Sequence, residues 1–211
     1  MCPNELQSLI DQDVVKRVPP EHCKNKVRWG HPDGYFMNAK GKRLSENFPP
    51  SQYVHRGGSA YPKFRKDCNH LACHVAMALA FYGERKTYIN KKGLVKPYQA
   101  HHLNGDKFDY RPANILAWLH PDEHRIADAR QKTLKTVVPE GNLKGFDYAI
   151  LRELEDPRTM ADDDFKTRME YLRVMCECGF DPRIFAAKQL HYWFSMPFEE
   201  FKTFFYHYKN D

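Results

Sequence analysis

The sequence lacks long apolar runs: none approaches the roughly 20 residues that a membrane-spanning helix requires. Its first 17 residues have no apolar centre of the kind found in secretory signal peptides. The six cysteines form no Cys-x-x-Cys pair, which in a reducing compartment favours buried thiols over a disulfide framework. Internal repeats and low-complexity segments are also missing. We therefore expect an intracellular, cytoplasmic protein with no membrane partner.

Charge is divided unevenly along the 211 residues. Residues 1–136 contain 23 Lys and Arg against 13 Asp and Glu, whereas residues 137–211 contain 10 against 14. A basic part of this size indicates a nucleic-acid partner. Judged from the charge alone, a solvated surface with an excess of lysine is an equally good explanation. The acidic part indicates packing or contacts with a partner.

The segment from Tyr98 to Arg130 predicts, in order, a strand, a turn or loop, a second strand and a helix. Asn104-Gly105 lies between two short apolar stretches and is typical of a hairpin turn, because both central residues must accept a positive φ. The run from His120 to Glu123 is typical of a helix start, since proline is tolerated there and acids suit the positive end of the helix dipole. Side chains suited to acid–base or metal chemistry follow this order: His101, His102, Asn114, His120, His124 and Asp128.

This order resembles the HNH endonuclease family and its ββα-metal motif, with the motif residues at His101-His102, Asn114 and His124. Residues 73–81 are similar to the helix that precedes the motif in phage and intron-encoded homing-type members, and residues 35–45 are similar to their N-terminal hairpin. The resemblance implies an α+β fold: a small antiparallel β-unit, then the ββα-metal motif, then a C-terminal helical region. It also implies a phage or mobile-element origin.

We predict three parts: a β-rich DNA-contacting unit over residues 1–66, a nuclease core over residues 67–136 and a helical region over residues 137–211. Short runs between residues 26 and 66 alternate aromatic and basic side chains, as in strands that lie along a DNA groove. The candidate DNA contacts of this unit are Lys40, Lys42, Arg43, Lys63 and Arg65.

The segment Asn69–Gly83 has helical spacing of its apolar residues and ends on a glycine. We interpret His74 on this helix as a structural histidine instead of a metal ligand. Residues 84–93 predict a basic loop that leads to the first strand of the motif. The candidate phosphate contacts are Lys86, Lys91 and Lys92 in this loop and Lys96 just after it. Four short helices are expected between Phe146 and Tyr208. Their aromatic residues predict a core or a dimer face, with a helix-turn-helix as the alternative.

Successive residues of a strand point to opposite faces, so His101 and His102 cannot do the same job. The resemblance implies that His101 binds a divalent metal and that His102 is the general base. It assigns the second metal ligand to His124. His120 competes for that role, being on the preceding turn.

Two more residues complete the predicted site. Asn114 is expected to brace the loop between the strands through bonds from its side chain to the backbone. Asp128 lies one helical turn after His124 and is either a further metal ligand or an acceptor for the imidazole of His124.

Arg111 and Arg125 are candidates for contacts with the cleaved phosphate or its neighbour. Mg²⁺ is the expected cofactor, with Mn²⁺, Zn²⁺ or Ni²⁺ as competitors because imidazole is a softer ligand than oxygen. The implied reaction is hydrolysis of double-stranded DNA to 5′-phosphate and 3′-hydroxyl ends, by a monomer or a homodimer joined through the C-terminal helices. The alternative is a non-catalytic DNA-binding protein with a degenerate or structural metal site.

Overall fold

The computed structural model of the chain describes residues 3–23, 26–44, 61, 64 and 71–209. The described residues form two compact units. One unit contains the chain up to His102 together with Asp106–Trp118, and the other contains Leu103–Gly105 and the chain from Leu119 onward. The predicted boundary between residues 66 and 67 lies outside the described residues.

The first unit begins with helix α1 (Pro3–Asp11) and a three-stranded antiparallel sheet. Its strands are β1 (Lys16–Arg17), β2 (Arg28–His31) and β3 (Tyr35–Asn38), with β2 in the centre. Tyr35, Phe36 and Met37 of β3 are all buried, so both faces of this strand are covered, whereas an alternating run predicts one exposed face. A small antiparallel β-unit is nevertheless present in the N-terminal part, as expected.

Helix α2 (Cys73–Tyr82) is the centre of the main core of this unit. Its residues from Cys73 to Leu79 are all buried, because alanines alternate with larger apolar side chains around the whole helix. The helix ends at Gly83, whose φ of 77° favours glycine. Residues Asn69 and His70 of the predicted helix lie outside the described residues.

Strands β4 (Thr87–Ile89) and β5 (Val95–Pro97) form a separate two-stranded antiparallel sheet. The prediction of a loop over residues 84–93 is therefore wrong for β4. Thr, Tyr and Ile favour a strand, but three residues give too short a pattern to reveal one without its partner.

Strands β6 (Gln99–His102) and β7 (Ile115–Leu119) form a third sheet. Asn104-Gly105 does not form the two-residue hairpin turn of which this pair is typical, because Gly105 has a φ of 71° but Asn104 has no positive φ. The connection instead runs from residue 103 to residue 114 and ends in a 3₁₀ turn at Pro112–Asn114. The next element along the chain is a helix, so the order of strand, loop, strand and helix is as predicted.

The second unit consists of five helices, and their positions agree with the sequence-based expectations to within a few residues. Helix α3 continues to Val137, beyond the expected end at Leu134, and a 3₁₀ turn at Pro139–Gly141 follows it. The helices are α3 (Pro121–Val137), α4 (Tyr148–Glu155), α5 (Asp162–Glu177), α6 (Ala187–Ser195) and α7 (Phe198–Lys209).

Aromatic side chains of the last two helices form much of the core of this unit. Phe201 and Phe205 are fully buried, and Trp193 packs edge-on against Phe205 with ring centroids 5.2 Å apart. The chain is thus a mixed α and β protein. No helix in the described part of the chain combines the length and the apolar character that crossing a bilayer requires.

Candidate metal centre

Strand β6 carries the two adjacent histidines, and both are buried: His101 is 4% and His102 is 6% exposed. Because side chains alternate along a strand, the two imidazoles leave it in opposite directions. They therefore have different neighbours, so the two imidazoles can have different chemical roles.

The start of helix α3 uses His120 as its N-cap. The Nδ1 atom of His120 accepts a hydrogen bond from the backbone N–H of Asp122, and the backbone N–H of His120 donates to Oε2 of Glu123 at 2.7 Å. This reciprocal arrangement satisfies donors that a helix start leaves open. His120 thus has a structural task at the cap.

His124 and Asp128 lie one turn apart on helix α3, on the same face. Nδ1 of His124 is 3.2 Å from Oδ2 of Asp128. The side chain of His124 is 24% exposed and that of Asp128 is 47% exposed. Both are therefore open enough to exchange a ligand with solvent, and close enough to act together.

Three of these side chains form a group that can hold a metal ion: His101, His124 and Asp128. Each offers one ligand atom, and the three atoms lie within 4.8 Å of one another. In the described part of the chain this is the only group of three or more such residues, and His120 is not in it. Two imidazoles and a carboxylate suit Mn²⁺, Zn²⁺ or Ni²⁺, whereas Mg²⁺ prefers oxygen ligands.

The imidazole of His102 packs among aromatic rings. Its centroid lies 4.6 Å from that of His74 on helix α2 and 5.9 Å from the ring of Tyr61. The ammonium group of Lys107 lies 4.9 Å from the centre of the Tyr61 ring. Sequence analysis missed His74 and Tyr61 as neighbours of His102, because no spacing in the sequence connects residues so far apart.

Burial and, as the second cause, the neighbouring His101 together lower the pKa of His102 from 6.5 to about 4. The carboxylates of Asp109 and Asp106 oppose this effect. The imidazole is consequently neutral near pH 7, and the neutral form is the one that can accept a proton.

Asn114 is completely buried at the end of the loop between β6 and β7. Its Nδ2 group donates to the backbone oxygen of Asp109 at 2.7 Å, which ties the loop to itself. Arg111 donates from Nε and Nη2 to the carboxylate of Asp109, at 2.7 and 2.6 Å. Asn114 therefore makes a side-chain to backbone bond of the predicted kind, and Arg111 is held in a bidentate ion pair.

The remaining predicted DNA contacts are placed as follows. The Arg125 side chain is 79% exposed and lies 3.3 Å from Asp122. Lys40 and Lys42 are exposed in the turn after β3, and the guanidinium of Arg43 lies 4.2 Å from the centre of the Tyr35 ring. Lys63 and Arg65 lie outside the described residues.

Comparisons of the chain with protein-family models, with curated proteins and with solved structures found no match in any of the three.

Proposed function

We propose that the chain is a metal-dependent DNA endonuclease of the HNH type. The observation that carries the proposal is the group of His101, His124 and Asp128, whose ligand atoms lie within 4.8 Å of one another. Two of the three are the histidines to which the resemblance to HNH proteins gives the metal-binding role. The basic composition of residues 1–136 supports an anionic substrate.

In this proposal His101, His124 and Asp128 hold a divalent cation. Bound there, the cation supplies positive charge against the negative charge that accumulates on the phosphate and the departing 3′ oxygen. Because two of the three ligands are imidazole nitrogens, which suit softer ions, Mn²⁺, Zn²⁺ or Ni²⁺ compete with Mg²⁺ for this site.

His102 takes the proton of the attacking water in its neutral form. The packing of His74 and Tyr61 fixes the plane of its ring, and the bond from Asn114 to Asp109 holds the loop that follows the strand. A base fixed in this way loses little freedom when the reaction begins. Arg125, which is exposed, is available to a phosphate next to the cleaved bond.

Plasmid cleavage in Mg²⁺, Mn²⁺, Zn²⁺ or Ni²⁺ tests the proposal. The wild-type chain should nick or linearise the plasmid with at least one ion, and His102→Ala should lower the rate by about 10²–10⁴-fold, the usual contribution of a general base. His124→Ala should abolish cleavage, because it removes one of the three metal ligands. His191→Ala is the matched control, because His191 is half exposed and pairs with Glu153.

Two results would contradict the proposal. Cleavage by His102→Ala at the wild-type rate would show that His102 is not the general base. DNA binding without cleavage in any of the four ions would favour the alternative, a non-catalytic DNA-binding protein with a structural metal site. Cleaved ends that accept ligation without prior phosphorylation would show 5′-phosphates and 3′-hydroxyls, as expected.

A further inference from the structure

Strands β4 and β5, with the residues that flank and join them, form a ribbon over residues 85–98. Thr87 pairs with Pro97, Tyr88 with Lys96 and Ile89 with Val95. The backbone N–H of Tyr98 donates to the oxygen of Lys86 at 2.8 Å, which extends the pairing toward the base of the ribbon. The ribbon is thus a regular hairpin whose two ends are paired.

The tip of the ribbon is a well-defined turn. The side-chain oxygen of Asn90 accepts hydrogen bonds from the backbone N–H groups of Lys92 and Leu94, each at 3.0 Å. The backbone N–H of Asn90 donates to the oxygen of Leu94 at 2.9 Å, and Gly93 has a φ of 74°. The backbone of the tip is therefore fixed by its own hydrogen bonds.

The charge of the ribbon is entirely of one sign. Its sequence contains one arginine, four lysines and no acidic residue. Arg85 lies at the base, where its guanidinium is 5.5 Å from the centre of the Trp118 ring and Nε donates to the oxygen of Tyr98. The four lysines are exposed and form no ion pair with any described residue: Lys86, Lys91, Lys92 and Lys96.

The ribbon also exposes apolar side chains that a protein normally buries. Ile89 is 72%, Val95 is 66% and Leu94 is 52% exposed. Ile89 and Val95 are paired across the strands, so their side chains lie on the same face, and Tyr88 and Lys96 lie on the other. A two-stranded ribbon is marginally stable by itself, and an exposed apolar patch rimmed by polar residues marks an interaction surface.

We propose that this ribbon binds in the major groove of double-stranded DNA, with Lys91 and Lys92 of the tip on the phosphates and the face of Ile89 and Val95 toward the base edges. The inference rests on the proposed function, because it takes DNA as the substrate. The major groove of B-DNA admits a two-stranded ribbon, whereas that of an RNA duplex is too narrow. Apolar side chains in this groove can contact thymine methyl groups.

Binding of the full chain to a labelled DNA duplex in EDTA, over a series of salt concentrations, tests the inference. Lys91→Ala/Lys92→Ala should weaken binding and reduce the slope of log K against log salt by about 2, one for each lost phosphate contact. The control is Lys166→Ala/Lys188→Ala, since both lysines are exposed on helices of the acidic part. The control should keep the wild-type affinity and slope.

The apolar face has its own variant, Ile89→Thr/Val95→Thr, which keeps β-branched residues in the strands. We expect weaker binding to the duplex with the salt slope unchanged, because no phosphate contact is lost. Wild-type affinity in this variant, or an unchanged slope in the double lysine variant, would overturn the inference. So would ribbon-dependent binding to an RNA duplex or to phosphatidylserine vesicles in place of DNA.

Failure of this inference is distinguishable from failure of the proposed nuclease activity, because binding is measured without a divalent ion. If the double lysine variant binds DNA like the wild-type chain while plasmid cleavage depends on His102, the ribbon inference is wrong and the nuclease proposal stands. If binding depends on the ribbon and no ion supports cleavage, the ribbon inference stands alone.

Discussion

The imidazole of His74 lies against that of His102, with ring centroids 4.6 Å apart and planes inclined by 55°. Helix α2 is buried over this turn, so His74 is itself fixed by the core of its unit. His74 is therefore suited to position the His102 ring without touching the substrate.

We predict that His74→Ala lowers kcat for plasmid cleavage about 10-fold and leaves metal affinity unchanged, because a freed ring spends less time in the reactive orientation. His74→Phe, which keeps an aromatic ring against His102, should recover most of the rate. Cleavage kinetics at saturating DNA and calorimetric titration with Mn²⁺ measure the two quantities. Equal losses in both variants would show that packing against His102 is not what matters.

The metal group of His101, His124 and Asp128 gives a second prediction, which concerns the affinity of the chain for Mn²⁺ as measured by calorimetry. His124→Ala should not bind Mn²⁺, because only one imidazole and one carboxylate remain. Asp128→Asn should weaken binding without abolishing it, because the neutral amide oxygen is a poorer ligand than a carboxylate. The control is His120→Asn, since asparagine is also a good N-cap and His120 is outside the metal group. Loss of affinity in this control would transfer the ligand role to His120.

The buried amide of Asn114 gives a third prediction. Asn114→Asp should destabilise the chain by about 1–3 kcal/mol, because a carboxylate cannot donate to the backbone oxygen of Asp109 and the hydrogen bond is lost at a buried position. Urea denaturation monitored by circular dichroism measures the change. Gln189→Glu, the same amide-to-acid change at an exposed position of α6, should leave stability within about 0.5 kcal/mol. Similar midpoints for the two variants would refute the bracing role.

Local signals in the sequence were enough to predict the helices. The cap residues around Pro121 and the glycine at position 83 act within one turn of the chain, so the end of α2 and the start of α3 were predicted closely, whereas Leu71 and Ala72, expected in α2, precede it. The resemblance to HNH proteins implied His101 and His124 as metal ligands, and the helical spacing of Asp128 from His124 left it as either a further ligand or an acceptor; all three lie in the metal group.

Contacts between distant parts of the chain were not predictable in this way. The pairing of β4 with β5 depends on two three-residue segments, each too short to show a period. Tyr61 and His74 reach His102 only through the packing of α2 against the strands. The Asn104-Gly105 signal did not give a two-residue hairpin, because the connection continues to Asn114, whose buried side chain bonds to the backbone of the loop.

A buried arginine in the second unit gives a fourth prediction. Arg130 is 4% exposed and donates to the backbone oxygens of Leu154, Asp156 and Met160 and to the carboxylate of Asp162. Arg130→Met keeps most of the volume but removes these four hydrogen bonds from a buried position, so we expect a loss of about 3 kcal/mol in the free energy of unfolding. Urea denaturation measures it. Arg173→Met, on the exposed side of α5, is the comparison and should change stability by less than about 1 kcal/mol.

Two neighbouring phenylalanines of helix α7 separate core packing from surface contact. Phe205 is 1% exposed and packs against Trp193, Phe201 and Phe180, whereas Phe204 is 41% exposed. Phe205→Ala should cost about 3–5 kcal/mol, because it removes a buried ring and leaves a cavity. Phe204→Ala should cost about 1 kcal/mol or less. Thermal and urea denaturation measure both changes in the free energy of unfolding. Equal losses would mean that the ring of Phe204 is covered in solution, which a dimer joined through this helix requires.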